Sequence, residues 1–405
     1  MLNLNKQSYI FTSDGYKKVN NVQPKEYVST TDGMSSINYL DTVKAPLALK
    51  DFTYLQTSIY AFSSLLHNND NVQSVNPITF DLKPKKVKEL QIDDWLFHPW
   101  LKDLRPESSI NIIDLSKSCN CSFDSKYIYT YDKKIVEAAE ALDITTHQLK
   151  ELLSREAAEY EKHLPALKEY IKSTFGIEEA DNDIQAFKKL KKHLKDNCTF
   201  KQNRFLTIDQ YSLSCIVAYM KSAYLSPLSY KIYITFDSTS QEYKDALLFI
   251  KNQKFKYELT ENNSNQTTVV INNEPFYLFL ENVINNTITC IKNSNKENQQ
   301  FFIKHLFNTN YSVDVSFTVA LQLAELCNYD KKVLSIDNSS VGVTVHIAQD
   351  DLTQTDSSLI IQENGYFTRV VGLSEIEANR ELIFKKVSAS GKDINYLTHT
   401  LTFKD

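Results

Sequence analysis

Short runs of alternating apolar and polar positions fill the first hundred residues, each ended by turn formers. Ser8-Tyr9-Ile10-Phe11-Thr12 is rich in aromatic and β-branched side chains, Ser13-Asp14-Gly15 turns the chain, and Tyr16-Lys17-Lys18-Val19 resumes it. Tyr27-Val28-Ser29-Thr30-Thr31 reads as a further strand that closes on Asp32-Gly33, a turn signal because glycine tolerates positive φ. A strand-like stretch over 85–90 leads through Asp93-Asp94 into Trp95-Leu96-Phe97 and stops at Pro99. From about residue 132 the apolar period lengthens from two to about 3.6, which predicts helices over 135–153, 156–175 and 184–194. A mixed stretch follows. It has helices over 208–225, 241–252, 275–283, 299–307 and 320–326, and strands over 230–236, near 257 and 269, and over 313–318. The tail returns to strands at 366–371, 381–387 and 396–403. A β-segment at each end around a helical and mixed middle predicts an α+β chain in which one β-domain is split by an insertion.

The 405 residues exceed one ordinary core and suggest two or three domains. The hydrophobic fraction of 42% is enough to fill such cores, and the charged fraction of 23% is that of a soluble globular chain. Only 7 residues are glycine, so few tight phosphate loops or close helix crossings can exist. A net charge of −5 argues against indiscriminate coating of nucleic acid, though not against a local basic face. No apolar run reaches the ~20 residues of a bilayer span, and no leader pattern opens the chain. The expectation is a cytoplasmic protein, or a nuclear or virion-associated one depending on host, and not a secreted one. The six cysteines (119, 121, 198, 215, 290, 327) form no paired metal spacing; Cys119-Asn120-Cys121 is a lone C-x-C. No metal site and no cofactor are expected.

The N-terminal strands and turns, 9–19 and 26–33, resemble the opening of Hint domains, the fold of inteins and hedgehog autoprocessing modules. Val87-Lys88-Glu89-Leu90-Gln91-Ile92-Asp93-Asp94-Trp95-Leu96 resembles that family's later strand pair, and 381–405 its closing strands. The resemblance implies an all-β horseshoe built from 1–115 and 365–405. Its chemistry is acyl transfer: a thiol or hydroxyl nucleophile at the start, a Thr-x-x-His that polarises the scissile amide, and a terminal His-Asn that cyclises. Here those positions read Asn3, then Thr57-Ser58-Ile59-Tyr60, then Lys404-Asp405. A phenol replaces the imidazole that titrates near neutrality, and a carboxylate replaces the cyclising amide. Splicing is not expected, and Thr57 and Tyr60 are expected to pack in a β-core.

Inside the insertion, Tyr211 through Leu225 resembles the first helix of LAGLIDADG homing endonucleases, and Phe302 through Val313 resembles the second. Each is followed by a strand. The resemblance implies a pseudo-symmetric two-repeat αββα-type domain at 200–360 that straddles duplex DNA. In that family an acid at the foot of each helix holds Mg²⁺ for phosphodiester hydrolysis. Those positions read Ser222 and Asn310, neither of them charged, and the close-packing glycines read Val217 and His305. Asp237 and Asp314 lie nearby but are read as solvated strand or loop residues. Cleavage is not expected.

Binding can outlast chemistry. Within a helical segment at 125–198, residues 135–153 resemble a helix-turn-helix: Ala139 where the helices touch, Leu142, Ile144, Leu149 and Leu152 as core, Asp143 at the turn and Thr145 as N-cap. That reading turns Thr146, His147 and Lys150 to the major groove, while a plain helical hairpin remains the alternative. In Phe187 through Lys195, Phe187, Leu190 and Leu194 share one helical face and Lys188, Lys191, Lys192 and Lys195 another, suited to phosphates or simply to solvent. Lys231 and Tyr233 on the strand after the first LAGLIDADG-like helix complete the candidate DNA contacts. Three readings stay open: a non-catalytic, domesticated relative of a mobile element that binds double-stranded DNA, monomeric if free-standing; an assembly subunit of a larger viral or polymerase-like complex; and a residual Mg²⁺-dependent endonuclease.

Overall fold

A computed structural model describes residues 2–6, 8–13, 15–30, 33–43, 49–59, 63–101, 112–114, 122–123, 127–130, 133–141, 143–145, 148–149, 200–203, 205–262, 265–282, 287–308, 312–339, 342–348, 359–375, 384–389 and 400–401. The chain forms two compact units, Met1–Ser108 with Ile291–Asp405, and Ser109–Cys290. The architecture is α+β with antiparallel sheets. In chain order the N-terminal strands are β1 (Leu2–Asn5), β2 (Tyr9–Thr12), β3 (Gly15–Lys18), β4 (Tyr27–Thr30), β5 (Gly33–Val43), β6 (Phe52–Thr57), β7 (Ser63–His67), β8 (Asn71–Val75), β9 (Leu82–Lys86) and β10 (Trp95–Pro99).

The second unit begins with β11 (Ile112–Asp114), β12 (Ser122–Phe123) and β13 (Tyr127–Thr130), then helix α1 (Lys133–Ala141). It continues with β14 (Phe200–Asn203), β15 (Phe205–Thr207), α2 (Gln210–Ser222), β16 (Ala223–Ser226), β17 (Lys231–Asp237), α3 (Gln241–Asn252), β18 (Lys256–Asn262), β19 (Gln266–Asn272) and α4 (Glu274–Glu281). β13 pairs with β14 and β11 with β15, so an antiparallel ladder brackets the stretch from 131 to 199. After a short helical turn, Thr289–Lys292, the first unit resumes with α5 (Lys296–Leu306), β20 (Val313–Val315), α6 (Phe317–Tyr329), β21 (Leu334–Asn338) and β22 (Val343–Ile347). It ends with β23 (Leu359–Gln362), β24 (Gly365–Glu375), β25 (Phe384–Ala389) and β26 (Thr400–Leu401).

In the first unit both chain ends enter the same β-structure. One sheet runs β1-β25-β5-β4-β2-β26 with β3 beside β2; the other runs β7-β6-β24-β10-β8-β9 with β23 beside β24. Leu2 pairs with Val387 and Tyr9 with Leu401. The two sheets share one core, with Leu4, Ile10, Val28, Ile37 and Val387 from the first and Leu55, Leu66, Val72, Leu96 and Val370 from the second. Gly365 has a local necessity: a Cβ there would collide with the His98 carbonyl and the Phe97 ring, because β10 and β24 meet at that point.

Helix starts follow local chemistry. Ser240, Asn273, Asn295 and Ser316 cap α3, α4, α5 and α6, each side-chain oxygen accepting a backbone N–H of the first turn. Three boundary expectations need correction. The helix expected over 208–225 ends at Ser222, because the Ala223 backbone turns extended and pairs with Ile234. Residues 87–89, expected as strand, form a 3₁₀ turn that buries Val87. The strand expected over 313–318 ends at Val315, since Ser316 caps the following helix.

Candidate nucleic-acid interface

The second unit holds the most complete candidate. Asp209 starts α2 with a capping box: its Oδ1 accepts from the Tyr211 and Ser212 backbone N–H groups at 3.1 and 2.9 Å, and its own N–H reaches the Ser212 hydroxyl at 2.9 Å. Leu213, Ile216 and Val217 bury the inner face of the helix. The chain then runs α2-β16-β17-α3-β18-β19-α4, and its sheet has the order β16-β17-β19-β18.

Strand alternation divides that sheet into two faces, although Val270 on the second is also buried. Ile232, Ile234, Phe236, Val269 and Ile271 are buried on one face, and α2, α3 and α4 all contact β17. The other face is a grid fixed by register. One cross-strand row is Ser226, Lys231, Asn272 and Lys256; the next is Tyr224, Tyr233, Val270 and Glu258; then come Thr235, Thr268 and Thr260, and last Asp237 with Gln266. Tyr224 is 65% exposed, and its ring lies 5.8 Å from that of Tyr233 between centroids. Thr235 and Thr268 hydroxyls meet at 3.0 Å. The face is rich in hydroxyls and amides, with two lysines against Glu258 and Asp237.

At the foot of α2, Ser222 is exposed, and its hydroxyl is directed at the carbonyls of Ala218 at 3.3 Å and Thr235 at 3.1 Å. A neutral hydroxyl with its proton committed to carbonyls is a poor ligand for a hard divalent cation. Asp237 is exposed at the end of β17 and serves the turn into α3: one oxygen accepts the Thr239 hydroxyl at 2.7 Å and the Thr239 N–H at 2.8 Å. Those two bonds, the hydroxyl first, hold its carboxyl below the usual carboxylate range. Asp314, on β20, accepts the Thr344 hydroxyl. Among the described residues no group of three or more His, Cys, Asp or Glu is placed to hold a metal ion.

Lys231 and Tyr233 therefore share one face, joined there by Tyr224, Asn272 and Lys256, which sequence reasoning missed. Tyr224 was hidden because apolar helix spacing runs past the true end of α2; the alternation of 223–226 against 231–237 was the available signal. Thr146, His147, Lys150, Lys188, Lys191, Lys192, Lys195, Asn310, Tyr60, Lys404 and Asp405 lie outside the described residues. Near α1, Ala139 is buried, Asp143 has φ of 51°, and the Thr145 hydroxyl accepts the Gln148 N–H at 3.1 Å. The Gln148 side chain answers by accepting the Thr145 N–H at 2.9 Å, which makes a second capping box. Asn3 sits on β1 in register with Lys386, and Thr57 ends β6, 8% exposed.

The first unit contains a related stretch, α5-β20-α6-β21-β22, with no counterpart of β16 among the described residues. Its sheet order, β20-β22-β21, repeats that of β17-β19-β18. The Val217 side chain is buried, and His305 stacks on Phe301 at 3.9 Å with Nδ1 2.8 Å from the Phe301 carbonyl. No helix among the described residues is long and apolar enough to cross a membrane.

No family model matches the sequence, and no curated protein matches it. Among solved structures, the chain is similar to I-DmoI in complex with DNA and Mn, at 13% identity and a TM-score of 0.27, over 35% of this chain and 91% of that one. Mesophilic variants of the homing endonuclease I-DmoI match at 14% identity and a TM-score of 0.26, over 34% of this chain and 84% of theirs. I-DmoI in complex with DNA and Ca matches at 15% identity and a TM-score of 0.25, over 34% of this chain and 84% of that one.

Proposed function

We propose that this chain is a non-catalytic DNA-binding protein, a domesticated relative of LAGLIDADG homing endonucleases carried within a degenerate Hint-like β-domain. The observation that carries the reading is the β16-β17-β19-β18 sheet, whose face opposite Ile232 and Ile234 presents Lys231, Tyr233 and a grid of hydroxyls and amides beside a helix foot closed by the neutral Ser222. The repeated order of helices and strands in α5 through β22 supports two related halves. The pairing of β1 with β25 and β2 with β26 supports one β-domain split by an insertion. The helix-turn-helix reading draws support from Asp143 in the left-handed region and from the Thr145–Gln148 box.

Hydroxyls, amides and a few lysines fit hydrogen bonding to base edges and phosphates. Loss of the acid at Ser222 removes the anchor for Mg²⁺, so binding without cleavage is the expected activity. Gel-shift titration of the full chain against a random-sequence duplex library, with and without Mg²⁺, tests this. Salt-dependent binding without nicking is expected. Absence of binding to any duplex at micromolar protein, or metal-dependent nicking, refutes it. The net charge of −5 favours a second reading as a subunit of a larger assembly; that reading requires purification from its host in fixed stoichiometry with other chains.

A further inference from the structure

The open face of the four-stranded sheet is poorly supplied with cations for gripping a duplex, yet well supplied with rings. Its two lysines, Lys231 and Lys256, stand in one cross-strand row with Asn272 between them. The adjoining row, about 6.6 Å along the strands, carries Tyr224 and Tyr233 side by side on neighbouring strands, with Val270 next in line. Glu258 ends that row and Asp237 stands two rows further on, so the face as a whole gains no net positive charge. Duplex binding draws most of its affinity from many phosphate contacts, to which this face adds Lys231 and Lys256. Stacking needs none: an exposed aromatic ring accepts the π-face of any base that is not already paired and stacked. A duplex hides those π-faces; an unpaired strand exposes them.

We propose that this face binds unpaired nucleobases, stacked on Tyr224 and Tyr233, while Lys231 and Lys256 hold the phosphates of the same strand. The charge arrangement matches such a ligand, with a cationic row running beside an aromatic row and an apolar floor at Val270. Tyr224 is the entry platform, since its ring is 65% exposed and is steadied by Tyr233 rather than buried by it. Asn272 in the lysine row, with Thr235, Thr268 and Gln266 beyond the tyrosine row, supplies donors and acceptors for base edges. Single-stranded DNA and single-stranded RNA present the same chemistry to this face. The inference rests on the nucleic-acid reading above and narrows its ligand to strands, ends, bulges or locally opened duplex.

The test is fluorescence anisotropy of the full chain with labelled oligodeoxythymidine, oligouridine of equal length, and a fully paired duplex at one salt concentration. Unpaired strands should bind about tenfold or more tightly than the duplex. Comparable binding of both strands, or a preference for either, supports the proposal, and the preference identifies the source. The Tyr224→Ala, Tyr233→Ala double variant should lose about tenfold or more in affinity for the strands, whereas Tyr224→Phe, Tyr233→Phe should retain it. Lys231→Ala with Lys256→Ala should weaken binding and lower its salt slope by about 0.7 per lysine. Folding of each variant is checked by circular dichroism. Duplex binding that equals or exceeds strand binding overturns the stacking proposal and leaves the DNA-binding function standing. So does strand binding indifferent to loss of both rings. Failure to bind any of the three nucleic acids overturns both.

Discussion

Replacing Lys292 with methionine removes the positive half of a buried ion pair in the first unit. Lys292 is 7% exposed and Glu325 1% exposed; the ammonium lies 2.6 Å from Glu325 Oε2 and donates to Gln322 Oε1 at 2.7 Å. The other carboxylate oxygen accepts the Tyr329 hydroxyl at 2.7 Å. The pair sits beneath the β2–β3 turn, where Gly15 has φ of +94° and any Cβ would stand 2.9 Å from Glu325 Oε2. Gly15 therefore stands directly against the charges, and both side chains are buried. Methionine fills the volume of the lysine stem but leaves a carboxylate in a buried site with one neutral donor. Orphaning one member of such a pair costs about 3–5 kcal/mol, whereas replacing both by apolar groups is often near neutral. Lys292→Met should lower the unfolding free energy of the first unit by about 3–5 kcal/mol. Adding Glu325→Leu should recover much of that loss, with a coupling of at least about 1 kcal/mol. Urea denaturation read separately from each unit measures both quantities. A single variant losing less than about 1 kcal/mol, or a double variant equal to the sum of the singles, would refute the reasoning.

Three further outcomes follow from buried groups. Burial pushes the His98 imidazole down to about 3, and its Nε2 lies 2.7 Å from the Thr368 hydroxyl. The native state keeps it neutral while the unfolded chain binds a proton below about 6.5, so its contribution is complete above that pH and is lost as pH falls toward 3. Stability should drop by about 1.4 kcal/mol per pH unit across that window relative to His98→Gln, and parallel curves for the two proteins would contradict this. Burial also pushes the Cys215 and Cys327 thiols up to about 12. Mass-mapped alkylation at neutral pH should leave both unmodified until denaturant is added, and rapid native labelling at either would count against their burial. Gly365→Ala should destabilise the β10–β24 ladder by about 1–3 kcal/mol, seen as a lower urea midpoint; an unchanged midpoint would show that the strands separate easily there.

Much of the local structure was written in short-range chemistry. Helix 241–252 was legible to the residue, because Ser240 caps it and its apolar spacing runs to Ile250. Lys231 and Tyr233 were legible as open-face residues, since period-two alternation sends them opposite Ile232 and Ile234. The possibility of a neutral helix foot was equally plain, because Ser222 carries no charge in any fold. Tyr224 was misplaced because apolar positions compatible with a helix continue beyond α2, and only hydrogen bonding to β17 ends it. The strand expected at 87–90 was lost to a 3₁₀ turn that buries Val87 in the shared core.

What the amino-acid order determined alone was set by contacts a few residues apart: turn positions, caps, the period of each element, and which side chains carry charge. The tertiary structure decided what depends on partners distant in sequence. β1 finds β25 across the whole chain, the tyrosine and lysine rows exist only once four strands fall into register, and Lys292 meets Glu325 under a turn made by residue 15. Such pairings gain their energy by closing long loops around shared burial, and no local window of residues contains both sides of that balance.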